Sequence, residues 1–424
     1  MTPGGGLYGS RLDRFRLVRN LRAGDALILR ALSLAALAAT TAFAQGARTE
    51  LTLREALTRA EAAPDVVVAR AAQAVAERGI EVVRAPGSPT LTTGTHTEVA
   101  HLTLALAVPL RWGGQRGTAL DVARAERDAA AADTAAAADR ARETVTAAWF
   151  RLAANEELER IASARVVRLE RTAAAVKDLY EAGRVPRLDV VRTQAEAASA
   201  RADVFTAAAE RRAAAAALAF LVGVEPGTDL AAAGERPAPA PLPDLASLQA
   251  RAANAADVRA AEARGRAAES RIEKARRGGL PALTLEGGVD VNDPTVEGTD
   301  KHVSLGLTIP VGARATIAVT SAERERAAAE RSRLVRSLEA EIVAAWNRTE
   351  AARQRLEALD AATLPAAREA AELADIAYRA GRLDLLRLLE SERALLDSGV
   401  AREETWVFWG TERASLERFV GGKL

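Results

Sequence analysis

The chain has 424 residues, a formal net charge of +1, 27% charged residues and only 4% aromatic ones. Its Arg and Glu are interspersed rather than clustered, which argues against a nucleic-acid footprint. It has no Cys, and Met1 is its only Met, which excludes disulfides, thiolate metal sites, a thiol nucleophile and lipidation at a cysteine.

Arg19 to Arg30 is basic, Ala31 to Ala39 is a short apolar run, and Ala42-Phe43-Ala44 has the small-x-small pattern of a cleavage point. Residues 1–44 therefore read as a secretory signal peptide. No other stretch approaches the roughly 18 apolar residues of a spanning helix. A membrane crossing by the mature chain would need a closed β-barrel.

A helix is expected from Leu51 to about Val83, opened by a capping box of Thr52 and Glu55. A hairpin of two strands follows at about 90–111. It is Thr-rich at first, then alternates larger and smaller side chains from His101 to Leu110. Strands of about ten residues match a tilted membrane strand, and Trp112 stands where an interfacial aromatic belt would lie. Thr118 to Ala182 then runs without Gly or Pro, which predicts one unbroken helix about 100 Å long. Val145, Trp149, Leu152, Ile161, Val166, Leu169, Val176 and Tyr180 give it a near coiled-coil seam. Tyr180-Glu-Ala-Gly183-Arg184-Val-Pro186 ends it, Gly followed by Pro being a stop-and-turn signal, with the tip at about 183–187. A return helix is expected from Leu188 to Leu221.

A Pro/Ala-rich linker at 227–243 joins this first repeat (45–226) to a second (244–424) with the same order. A helix spans about Leu245 to Arg276, and a second hairpin spans about 281–311, with Asn292-Asp-Pro294 in its loop. A second long helix covers Ala313 to Ala380, interrupted in composition only by Pro365. Leu356, Leu359 and Thr363 continue its seam from Ala345, Thr349 and Ala352. The second tip lies at about 381–384, around Gly381, and a return helix reaches about Trp409. The two short helices of a repeat together equal the long one, so both can stack end to end beside it.

The predicted fold is mainly α with membrane β: two tandem repeats of helix–β-hairpin–long helix–helix. Four strands cannot close a barrel, since the smallest membrane barrels have eight. Closure requires oligomerisation. Three copies would give a trimeric 12-stranded β-barrel continued by an α-helical barrel.

No nucleophile elbow, phosphate loop or His-Glu-x-x-His motif is present, so no enzyme is expected. His96, His101 and His302 lie in or beside the strands without a carboxylate at ligand spacing, so no metal site and no cofactor are expected. Trp406, Phe408 and Trp409 read as packing side chains at the middle of the tube.

The whole order over residues 50–420 resembles the TolC family of outer-membrane efflux proteins. The marks that carry the likeness are Leu51-Thr-Leu-Arg-Glu-Ala-Leu57, Trp112-Gly-Gly-Gln-Arg-Gly117 and the two turns with Tyr180, Gly183, Arg184 and Tyr378, Gly381. Gly-Gly-x-Arg-Gly and Leu364-Pro365 resemble the heavy-metal cation branch. The resemblance implies a homotrimeric channel-tunnel in the outer membrane, in contact with its lipid, with a periplasmic helical portion. Its implied partners are a periplasmic adaptor and an inner-membrane pump, with no nucleic acid. It implies passive export, closed at the periplasmic tip by polar contacts. Asp189 matches an acidic position of that network and Tyr378 its tyrosine, and Arg382 is a neighbouring partner. Glu390 falls on an acidic lumen-constricting position, and Arg387 stands where a second acid is expected. Helix capping and plain surface charge are the alternative reading of these residues. A periplasmic adaptor or a structural coiled-coil envelope protein is the alternative function. Neither rival accounts for two strand pairs.

Overall fold

The computed structural model describes residues 48–85, 89–96, 101–110, 113–225, 227–291 and 299–424. The expected signal peptide (1–44), Trp112 and the loop at Asn292-Asp-Pro294 lie outside these residues. The elements below belong to one unit, Thr49–Leu424.

The strand β1 (Thr49–Thr52) leads into α1 (Leu53–Arg59) through the expected capping box. The Glu55 N–H donates to Thr52 Oγ1 (3.2 Å), and the Thr52 N–H donates to Glu55 Oε2 (2.9 Å). A 3-10 turn at Ala60–Ala62 separates α1 from α2 (Pro64–Arg84), where Pro64 sits in a first turn that needs no N–H from it. Next come β2 (Thr90–His96), β3 (His101–Leu110), the 67-residue rod α3 (Gln115–Glu181) and the return helix α4 (Arg187–Leu221).

The linker is not wholly irregular. Its Leu230–Ala233 forms a strand, β4, that pairs in parallel with β1, Thr49 opposite Leu230 and Thr52 opposite Ala233. Leu-Ala-Ala-Ala carries no strand pattern of its own, and the pairing with a distant segment decides its conformation.

In the second repeat the expected single helix is broken into α5 (Leu245–Arg251), a 3-10 turn (Ala252–Asn254) and α6 (Ala256–Gly278). No Pro marks this break. The end of the chain packs there, with Gly421 closely approaching Asn254 O. Two strands follow, β5 (Ala282–Val291) and β6 (Thr299–Thr308). The second rod is α7 (Ala313–Ala358) and α8 (Leu364–Arg379), joined by a π-helical turn at Leu359–Thr363. The Leu364 N–H donates to Leu359 O, five residues back. Pro365 explains the turn: it has no N–H to give, and its ring would strike the carbonyl one α-turn earlier. The inserted residue moves the seam. Buried Leu356 and Leu359 are followed by part-buried Leu364, then Ala371, Ala374 and Tyr378, while the expected Thr363 is exposed. The last helix, α9 (Leu385–Phe419), runs past Trp409 because Gly410 lies in helix against the Phe150 ring.

The rod α3 is the centre of the packing. It contacts α2 and α4 of its own repeat and α6 and α9 of the second, and α7–α8 packs beyond α6 and α9. Ion pairs fix the alignment. Arg271–Glu126, Arg264–Asp133 and Arg140–Asp257 run along α6, and Arg168–Glu392 joins α9 to the lower part of α3. Arg418 pins the junction where α9 ends and α6 begins, donating to Glu143 Oε2 (2.5 Å) and Asp257 Oδ2 (2.7 Å). The result is four columns in lateral order: α2 with α4, then α3, then α6 with α9, then α7 with α8. The single four-stranded antiparallel sheet has the same order, β2-β3-β5-β6. Each strand continues the column it is joined to.

Large side chains concentrate at mid-height. Trp149, Phe150, Trp406 and Trp409 cluster with Leu51, Leu152, Leu218 and Leu230. Three indoles tie backbone into this belt: Trp149 Nε1–H donates to Leu51 O (2.9 Å), Trp346 to Pro243 O (2.9 Å) and Trp406 to Pro237 O (3.0 Å). Phe408, expected in the same packing, is 46% exposed. Elsewhere the columns meet in places through thin alanine layers such as Ala136 against Ala256 and Ala260.

Candidate functional site

Two regions can serve a conduit: the sheet and the opposite tip. Period-two alternation gives the sheet two unlike faces. On one face Leu102, Leu104, Leu106, Leu285, Leu305 and Leu307 are register neighbours or lie two residues apart, and all are 43–64% exposed. A contiguous exposed apolar surface of this kind marks a membrane or protein contact. Among the described residues no helix is long and apolar enough to cross a membrane.

The other face carries Thr, Ala and Gly together with Glu286, Asp290, Asp300 and His302. His302 Nδ1 lies 3.1 Å from Asp290 Oδ2, and its Nε2 lies 3.9 Å from Glu286 Oε1. The sequence offers no carboxylate motif at ligand spacing from His302. Cross-strand register supplies two carboxylates, twelve and sixteen positions away. The two ring nitrogens address separate carboxylates, and among the described residues no three such side chains converge to hold a metal ion. His96 and His101 are register partners on β2 and β3.

At the tip both turns close identically. Gly183 (φ +72°) and Gly381 (φ +71°) take the left-handed conformation that side-chain-bearing residues adopt at a cost. Arg184 N–H donates to Leu179 O and Gly183 N–H to Tyr180 O; Arg382 and Gly381 repeat this onto Ala377 and Tyr378. Both are Schellman ends. The following helices start differently, with Pro186 at one N-cap and the Asp384 carboxylate accepting from Arg387 N–H (2.9 Å) at the other.

The turns share one apolar cluster of Val176, Tyr378, Leu385 and Leu388, and a groove of about 490 Å³ between them is lined by Arg184, Asp189, Arg192 and Tyr378. Tyr378 is 4% exposed, and its hydroxyl has no hydrogen-bond partner among the described residues. Burial pushes its phenol pKa up, and the nearby Asp189 carboxylate pushes it the same way. The structure thus brings Asp189 and Tyr378 together without a hydrogen bond between them. Arg382 is exposed and makes no ion pair with Asp189 among the described residues. Arg387 lies 3.7 Å from Asp384, and Glu390 is exposed. Tyr180, placed in the seam by its spacing, is 42% exposed.

One feature had no sequence signal. Arg211, 6% exposed, is held between Glu159 (2.9 Å) and Asp229 (2.7 Å), tying α4 to α3 and to the start of β4. Burial opposes its charge, but the two carboxylates outweigh that and raise its pKa.

The family profile of outer membrane efflux proteins matches residues 59–224 and 248–405, one segment in each repeat. The chain belongs to the outer membrane efflux protein family. It is an efflux channel protein of the outer membrane. The cobalt-zinc-cadmium resistance protein CzcC of Cupriavidus metallidurans is 26% identical over 329 residues, covering 75% of this chain and 77% of that protein. The outer-membrane channel OprN superposes with a TM-score of 0.70 at 24% identity, over 87% of this chain and 90% of that one. The open-state MtrE outer membrane channel of Neisseria gonorrhoeae does so with a TM-score of 0.67 at 21% identity, over 87% and 89%. These efflux channels share the fold described above. The exposed leucine face of the sheet is an apolar surface available to lipid in an outer-membrane protein.

Proposed function

We propose that three copies of this chain close edge to edge into a twelve-stranded barrel and a helical tunnel, a passive duct that exports cargo delivered by an adaptor and an inner-membrane pump. The observation that carries this reading is the matched order of strands and columns. The free edges of the sheet are β2 and β6, which run in opposite senses. Setting β6 of one copy beside β2 of the next continues the antiparallel alternation, and it sets α7–α8 beside α2 and α4 in the same step. Exposed Val67, Val75, Leu188 and Phe205 on the column α2 with α4, and Val319, Leu373 and Ile376 on the column α7 with α8, support such a seam. The likeness to CzcC supports divalent metal cations as cargo.

The test is the native mass of protein extracted from the outer-membrane fraction in mild detergent. Three chains per particle, dependent on detergent, is the expected result. A detergent-free soluble monomer or dimer would sink the shared barrel and return the reading to an adaptor or a structural coiled coil.

The tip closes the duct through the polar groups around the two turns, Asp189, Tyr378 and Arg382, by contacts made between neighbouring copies. Exposed ion pairs are worth about 0–1 kcal/mol each, so contacts repeated by symmetry can hold a gate and still release it. Asp189→Ala and Arg382→Ala are expected to raise the resting conductance of the assembled channel in a planar bilayer. Unchanged conductance in both variants would assign these residues to capping and surface charge alone.

A further inference from the structure

We propose that the seam between copies is closed by an aromatic anchor, Phe220 of one copy seated on Ala340 and Ala344 of the next, at the place where the seam inside the chain is closed by the ion pairs of Arg418. The inference rests on the ring closure proposed above and names the contact that holds it.

The two repeats match residue by residue at their junctions. The return helices α4 and α9 both have 35 residues, and each is followed by a Val and a positive-φ Gly, Gly223 and Gly421. Gly223 packs on Ala62 and Gly421 on Asn254, the last residues of the two 3-10 turns. Phe220 therefore stands where Arg418 does. On the rods, Trp149 and Trp346 bond the matching carbonyls of Leu51 and Pro243. Glu143, six residues before Trp149, is thus matched by Ala340, six before Trp346.

Inside the chain the first rod meets the second repeat through charge. Arg418 donates to Glu143 of α3 and to Asp257 of α6, and Arg140 of α3 holds the other oxygen of Asp257. Higher up, Arg264 and Arg271 reach Asp133 and Glu126. In a closed ring the second rod meets the first repeat of the next copy at the matching positions, and there this chemistry is gone. Ala340 replaces Glu143, Ser337 replaces Arg140, Phe220 replaces Arg418, and Ala72 and Gly79 replace Arg264 and Arg271.

What stands there instead is apolar. Phe220 is 64% exposed in the single chain, whereas the Arg418 side chain is 19% exposed. Phe205 is exposed too, and it matches Glu403, which is buried. Both phenylalanines of α4 thus occupy positions that are covered in α9. On α7, Ala340 and Ala344 lie one turn apart and leave room for a ring. The contrast has a physical reason. The two halves of one chain are held together by the linker, so weak ion pairs suffice to align them. Separate copies must also offset the freedom lost on association, which buried apolar surface does and exposed ion pairs do not. A buried aromatic side chain is a common carrier of such affinity.

The chain has no Cys, so a pair of introduced cysteines reports the contact directly. Full-length protein carrying Phe220→Cys and Ala340→Cys is extracted from the outer membrane in mild detergent, treated with a short bis-maleimide and run on denaturing gels. Covalent dimers and trimers are expected from the pair, and single chains only from either substitution alone. Phe408→Cys with Ala340→Cys is the control. Phe408 is exposed on α9, not α4, and no covalent oligomer is expected. Phe220→Asp leaves the single chain folded, because the ring is exposed there, and is expected to lower the trimeric fraction at least about tenfold, whereas Phe220→Leu keeps most of it. This variant carries the test if the double-cysteine chain does not assemble. A trimer by native mass that gives no cross-link at this pair, or that Phe220→Asp leaves unchanged, overturns the anchor, leaves Phe220 to another partner such as the adaptor, and keeps the ring. Equal cross-linking of the control overturns the matching of the two seams. A wild-type chain that is a monomer in detergent overturns the ring itself and the anchor with it.

Discussion

Replacing Trp149 with alanine is expected to cost about 3–5 kcal/mol of stability, the range for removing a fully buried large aromatic side chain. The indole is 1% exposed. Its ring stands edge-on to Phe150, with centroids 5.6 Å apart, and 6.3 Å from Trp406. The truncation opens a cavity in the thick mid-height belt of the wall, and it leaves Leu51 O without its donor. Trp149→Phe isolates that second effect and is expected to cost about 1–3 kcal/mol, the penalty for an unpaired buried acceptor. The second repeat supplies an internal comparison. Trp346 makes the same bond to Pro243 O but is only part-buried, so Trp346→Ala is expected to lose less than half as much. Urea unfolding in detergent, followed by far-UV circular dichroism, measures all three. A Trp346→Ala loss equal to that of Trp149→Ala would show that the belt does not depend on depth of burial.

Leu106→Arg is the second large effect. Leu106 lies mid-strand on β3 with Leu91 and Gly287 as register partners, and it is 45% exposed on the apolar face. An Arg at the midplane of a barrel's lipid face costs about 2–4 kcal/mol, and every copy bears it. The folded fraction recovered from the outer membrane should fall at least about tenfold, 1.4 kcal/mol being one factor of ten. The neighbouring position is the control. Ala107 faces the other side, opposite Glu286, where an added guanidinium meets a carboxylate, so Ala107→Arg is expected to fold nearly as well as the unaltered chain. The measurement is the proportion of heat-resistant folded protein on gels of outer-membrane extracts. Equal recovery of the two variants would remove the lipid-facing assignment of the leucine face.

Much of this architecture is legible in the residues because the signals are local. Sixty-five residues without Gly or Pro have little alternative to a helix, Leu-Thr-Leu-Ala-Leu has little alternative to a strand, and Gly183 and Gly381 occupy positions whose positive φ selects them. What escaped the reading is non-local. β4 exists because β1 lies beside it. The break before Ala256 lies where the segment after α9 packs, Gly421 against Asn254, as Gly223 packs against Ala62 in the first repeat. The carboxylates around His302 meet only when β5 and β6 are in register. The π-helical turn is intermediate: Pro365 announces a disturbance, but one extra residue leaves no compositional trace, so the spacing carries the seam on to Thr363 whereas the chain moves it to Leu364. At the candidate tip, the spacing found the turns. It did not show that Tyr378 is buried while Tyr180, the matching residue of the other repeat, is exposed.

The unequal burial of the tyrosines has a consequence for that end of the molecule. Tyr378 lies in the apolar cluster with Val176, Leu385 and Leu388, while Tyr180 of the matching turn is 42% exposed. The two tips of one chain therefore differ in surface although their turns close alike, and duplication has not left interchangeable halves. In a ring of copies the repeating unit at that end would be the whole chain, not the single hairpin.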